Sequence, residues 1–137
     1  MKEPLKDESA KKQLGKLRQG LFTLHKALID SERVGYEEAF GAIGSPANFL
    51  RLLLNDSWFA WLRPLSGLMA AVDEAIDGKD PLTADRAENL LKEARALLAP
   101  NEEGEGFGRH YFVAMQRDPD VLLAHAAVAK LGRQLSS

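Results

Sequence analysis

Along the first forty positions, apolar residues recur at steps of three and four: Leu14, Leu17, Leu21, Leu24 and Leu28. This spacing lays side chains along one face of an α-helix and predicts a long first helix over about 9–40. Gly41 and Gly44 interrupt the pattern, and Ser45-Pro46 supplies an N-cap followed by proline at the first helical position. A short helix through "ANFLRLLL" should follow and stop near Asn55. Asp56 or Ser57 can cap the next helix, whose inner stripe is Trp58, Trp61, Leu62, Leu65, Leu68, Met69, Val72 and Ile76. Pro64 lies inside that stripe and cannot donate to the Ala60 carbonyl, so the helix must bend there or its first turn must be a separate piece.

"DGKDP" ends this segment, with Gly78 expected in the left-handed conformation just past the helix. Thr83 caps another helix, with Asp85 in its first turn and Leu90, Leu91, Ala94, Leu97 and Leu98 facing inward. "PNEEGEGFG", residues 100 to 108, reads as a loop. Phe107, Tyr111, Phe112 and Met115 then predict a short helix to about Arg117. Asp118-Pro119 opens a final helix to about residue 134, through Val121, Leu122, Val128, Leu131 and Leu135. No strand pattern competes, and there is neither a repeat nor a low-complexity tract.

The expected fold is therefore all-α and single-domain. A flexible lead-in over 1–9 precedes a helical-bundle domain over 10–137. Short connections favour antiparallel neighbours, which gives an up-and-down bundle of four main helices with a broken last helix and short extra helices. Pro64 and Pro119 leave a five- or six-helix orthogonal array as the alternative.

Composition narrows the function classes. A chain of 137 residues, 45% apolar and 28% charged, is of ordinary globular make-up and of a size for one core. A net charge of -2 encodes no global attraction to phosphate or to an anionic membrane. The lysines among the first twenty residues read as a solvated face. The short helices carry only isolated arginines such as Arg51, and no helix pairs a broad apolar face with a lysine-rich one, so neither nucleic acid nor membrane is an expected partner. Cysteine is absent, which removes disulfides, thiolate zinc sites and thiol nucleophiles together. No apolar run approaches the ~18 residues of a spanning helix, and "MKEPLKDESAKKQ" lacks the apolar segment of a secretory signal, so the expected compartment is the cytoplasm.

In an antiparallel bundle one end collects Glu32, Tyr36, Phe40, Trp58, Trp61, Arg63, Arg109, His110 and Tyr111. Both tryptophans and both tyrosines of the chain are among them, whereas the opposite end receives aliphatics and lysines. The candidate ligand-binding or buried polar cluster is accordingly Glu32, Tyr36, Trp58, Trp61, Arg63, His110 and Tyr111. Glu32 continues the leucine stripe, so its carboxylate is desolvated and needs a cation or several donors. Arg63 is the preferred partner, because its planar fork matches a carboxylate; His110 and the Tyr111 hydroxyl are the alternatives. Trp58, Phe59 and Trp61 cannot all point inward from one α-helix, which leaves Phe59 to form an exposed apolar patch.

Other chemistry is poorly encoded. No Glu-x-x-His pair occurs, His25 and Glu32 lie two turns apart, and His25 and His125 read as residues at the core boundary, so no metal or other cofactor is expected. Ser57 and Ser66 lack a nucleophile-elbow context, and "GEGFG" lacks a preceding strand and sits among acids. Two functional readings follow. One is a non-enzymatic module that binds a protein partner, a second copy of itself or a small ligand at the Trp58/Trp61/Arg63 end. The other is an enzyme or ligand sensor with a buried polar pocket of Glu32, Tyr36, Arg63 and His110.

The stretches "LHKALIDSERVGYE", "NDSWFAWLRPLSGLMAAVDE" and "YFVAMQRDPDVLLAH" together resemble an uncharacterised family of small all-helical bacterial proteins with no assigned activity. The resemblance spans about residues 21 to 131. It implies a single helical domain of bacterial origin and carries no catalytic residues.

Overall fold

A computed structural model describes the backbone of residues 7–136 and the side chains of residues 9–131. Among the described residues six α-helices follow one another: α1 (Asp7–Phe40), α2 (Pro46–Asn55), α3 (Arg63–Asp77), α4 (Ala84–Leu97), α5 (Phe107–Arg117) and α6 (Pro119–Ser136). A 3-10 helix, Ser57–Leu62, joins α2 to α3, and the described residues contain no strand. Most of the expected lead-in, residues 1–6, lies outside the described residues, and residues 7–9 already belong to α1.

Local chemistry sets the boundaries. The Ser45 hydroxyl accepts from the Asn48 N–H, with Pro46 in the first turn of α2. Asp56 accepts from the Trp58 N–H at 2.8 Å, and Thr83 from the Arg86 N–H at 3.2 Å. Each cap satisfies a donor that the first helical turn leaves orphaned. Pro64 falls in the first turn of α3, where its missing N–H costs little, and the turn before it is the separate 3-10 piece. Gly41 and Gly44, with φ of 97° and 88°, make the turn between α1 and α2. Gly78 departs from expectation: it is extended, with φ -72° and ψ 175°, not left-handed. Space explains the glycine there, since a methyl group would run into the Glu74 carbonyl.

The four main helices form the up-and-down bundle. Helix α1 packs against α3, α4 and α6, and α3 against α4. Arg18 meets Asp77, His25 meets Ser66, and Trp58 reaches the Glu32 carbonyl, so α1 and the 3-10/α3 strut run antiparallel. Gly20 lies beside Val128 while Glu32 lies beside Arg117, the same antiparallel relation for α6. Leu14, Leu17, Leu21, Leu24 and Leu28 are all buried, as their periodicity requires, and they meet Leu65, Leu68, Val72, Leu90, Leu91, Val121 and Val128 in one core. On α6, Ala124 takes the inward position expected of Leu122, which is exposed; the Leu135 side chain lies outside the described residues.

The last strut breaks at Asp118-Pro119, where Asp118 accepts from the Asp120 N–H. Tyr111 of α5 touches His125 of α6, so the two pieces fold toward each other like the arms of a V. The apex of that V, Arg117, is thereby brought to α1.

Candidate functional site

The site grows from a change of helical pitch. In a 3-10 helix residues i and i+3 share a face, so Phe59 and Leu62 both turn inward, while Trp58 and Trp61 sit partly buried on the flank. Phe59 is 1% exposed, against the expectation of an exposed patch. It packs on Tyr36, with ring centroids 5.6 Å apart, and on Phe49 at 5.7 Å. Trp58 stands edge-on to Tyr36 and Phe40, and Gly35 makes room for it, because a Cβ there would lie 3.3 Å from the indole. Its Nε1–H donates to the Glu32 carbonyl at 3.3 Å.

Glu32 is buried, 8% exposed, and its partner is Arg117 rather than Arg63. The Arg117 Nη2 donates to the Glu32 Oε1 at 3.2 Å and to the Ser31 hydroxyl at 2.8 Å. Arg63 turns the other way and donates to the Leu54 carbonyl at the end of α2, at 3.0 Å. The other two candidate partners are engaged elsewhere. His110 stacks on the Trp61 indole, centroids 5.2 Å apart and planes 17° from parallel. The Tyr111 hydroxyl, inside the core, shares a 2.6 Å hydrogen bond with the His125 Nδ1. Burial raises the Tyr111 phenol well above its ordinary range and lowers His125 below the usual imidazole value. The same desolvation lowers His25, whose Nε2 faces the Ser66 hydroxyl at 3.1 Å.

A half-open cleft of about 430 Å³ lies between the 3-10 helix and α5, with α1 beneath it. Glu32, Ser57, Trp58, Trp61, Arg109, His110, Val113 and Arg117 line it. Of the seven sequence candidates it unites Glu32, Trp58, Trp61 and His110. Tyr36 belongs to the ring cluster behind Trp58, Arg63 to the α2 junction, and Tyr111 to the core. Arg109, Ser57, Val113 and Arg117 complete the lining without having been candidates for the cluster. Arg117 carried one local signal, since it immediately precedes the Asp-Pro break that turns the chain. Arg109 is anchored by donating to the Glu102 carbonyl at 2.7 Å.

The electrostatics are lopsided. Two guanidinium groups and an imidazole face one carboxylate, and that carboxylate is already paired with one of the guanidiniums. Two indoles supply broad apolar walls. Such a cleft can receive a flat or apolar body carrying a negative group. Among the described residues no three His, Asp or Glu side chains converge as metal ligands would, and no helix is long and apolar enough to cross a membrane. No family model, curated protein or solved structure matches this chain.

Proposed function

We propose that this is a non-enzymatic helical-bundle protein that binds through the Trp58/Trp61 cleft. Its occupant is a small ligand, or one protruding side chain of a protein partner, that combines an aromatic or apolar face with an acidic group. The observation that carries this reading is the pair of partly buried indoles flanking a cleft whose floor, Glu32, is buried and ion-paired. A volume of about 430 Å³ falls in the range of small-molecule sites. Tryptophan and arginine are among the side chains in which binding hot spots are enriched.

The competing reading, a reaction centre of Glu32, Tyr36, Arg63 and His110, is less well supported by how these groups are committed. Glu32 answers to Arg117, His110 is stacked on Trp61, and Tyr36 and Arg63 do not line the cleft. Ser57 is in the cleft but has no hydrogen bond to a base among the described residues.

Because both tryptophans of the chain line this cleft, intrinsic fluorescence reports its occupancy. Titration with benzoate, phenylacetate and indole-3-acetate is expected to give a saturable change with at least one of them, weakened by Trp61→Ala and by Arg109→Ser. Fluorescence that none of the three acids moves would count against the reading.

A further inference from the structure

A second pocket lies away from the indoles, where α1, α4 and α6 meet. It is half-open and holds about 230 Å³, and its walls are Leu17 from α1, Leu91 and Ala94 from α4, Leu98 just past the end of α4, and Val128 and Ala129 from α6. The space has a sequence cause. Helices α4 and α6 touch only sparsely, and each presents an alanine here where a larger side chain would close the gap. Two polar groups complete the lining, Arg95 and His125. Arg95 is exposed and forms no ion pair among the described residues, so its charge is available at the rim. The His125 Nδ1 is engaged by the Tyr111 hydroxyl, which leaves Nε2 as the ring nitrogen open to a further partner. Among the described residues no acid lines the pocket, so a cationic ligand would meet repulsion from Arg95. Among the described residues the walls are aliphatic, with His125 as the only ring.

We infer that this pocket binds a medium-chain aliphatic carboxylate, its chain among the leucines and alanines and its carboxylate on Arg95. An apolar cavity of about 150 Å³ takes up benzene, so by proportion about 230 Å³ accommodates roughly nine carbons, enough for an eight-carbon acid. The apolar body supplies the driving force, and the guanidinium selects an anionic head over a neutral or cationic one. This site is independent of the indole cleft, with which it shares no lining residue.

The test is calorimetric titration of the full chain with octanoate, with 1-octanol as the uncharged probe. Octanoate is expected to bind saturably at one site and more tightly than octanol. Ala129→Leu, which puts the missing volume into the pocket, should weaken octanoate by at least about tenfold. Arg95→Gln should weaken octanoate by about fivefold, a modest factor because the guanidinium is solvated, and leave octanol unchanged. The His125 ring resonances of the unmodified chain should move on addition of octanoate, a readout that does not depend on either variant folding. Octanoate that neither binds saturably nor moves those resonances, binding that survives Ala129→Leu, or octanol binding as tightly as octanoate overturns the inference.

Discussion

The two ends of the bundle are closed by different means. Around Leu14, Leu17 and Leu21 the core is leucine, valine, isoleucine and alanine, and the polar groups stay at its edge, as in the exposed Arg18–Asp77 pair. Around Glu32 the core is made of rings from α1, α2 and the 3-10 helix, with Ser31, Glu32 and Arg117 tied together beside them. Aliphatic stripes are interchangeable in register and need only periodicity. Rings and an ion pair need particular partners. The difference teaches that the aliphatic end specifies that helices pack, and the aromatic end specifies how they are joined and where a cleft stays open.

The comparison can be broken first by removing one large side chain from each end. Phe59→Ala should cost about 4 kcal/mol and Leu21→Ala about 3 kcal/mol in chemical denaturation. The two variants should differ in where they loosen the chain. Helix α2 has no fully buried residue and rests on the 3-10 segment, so Phe59→Ala should speed amide exchange throughout α2, whereas Leu21→Ala should not. Equal exchange in both variants would contradict the division.

Tyr111→Phe sharpens it at the joint between α5 and α6. The variant keeps the ring and removes the hydroxyl that meets His125, for an expected loss of about 1–2 kcal/mol. The acid limb of the stability profile reports on the same groups. Desolvation depresses the folded-state pKa of His25 and of His125, so the unfolded chain binds more protons below the ordinary imidazole value. Stability is therefore full above about pH 6.5 and declines as the pH falls through that value toward the depressed ones. The double variant His25→Gln/His125→Gln should flatten that decline when denaturation midpoints are measured from pH 7.5 to 5. The smallest effect belongs to the aliphatic end's surface: Arg18→Gln should change stability by less than about 0.5 kcal/mol, because both acids it meets are solvated.

How much was legible in the sequence follows from the same division. The stripes of α1 and α3 and the caps at Ser45, Asp56, Thr83 and Asp118 are written within a few residues, and the structure has them where the spacing puts them. The burial of Glu32 was legible too, because it lies in line with buried leucines. Its partner was not. Arg117 is 85 positions away and reaches α1 only because the chain folds back at Asp118-Pro119, a geometry no local pattern encodes. Phe59 was misplaced for a related reason: reading the segment at 3.6 residues per turn turns Trp58 and Trp61 inward, and the tighter 3-10 pitch ahead of Pro64 turns Phe59 inward instead. Four of the seven candidates line the cleft because proximity to one end of the bundle is a coarse property. The choice between Arg63 and Arg117 depends on how that end is joined.

The central claim is that Glu32 and Arg117 act as one unit beneath the indoles, fastening the α5–α6 corner to α1. A double-mutant cycle on Glu32→Gln and Arg117→Gln, read by chemical denaturation, tests it most directly. The coupling predicted is about 1 kcal/mol, limited by the partial exposure of Arg117, so that the double variant is less destabilised than the sum of the two single ones. Strictly additive losses, with no coupling beyond measurement error, would contradict it.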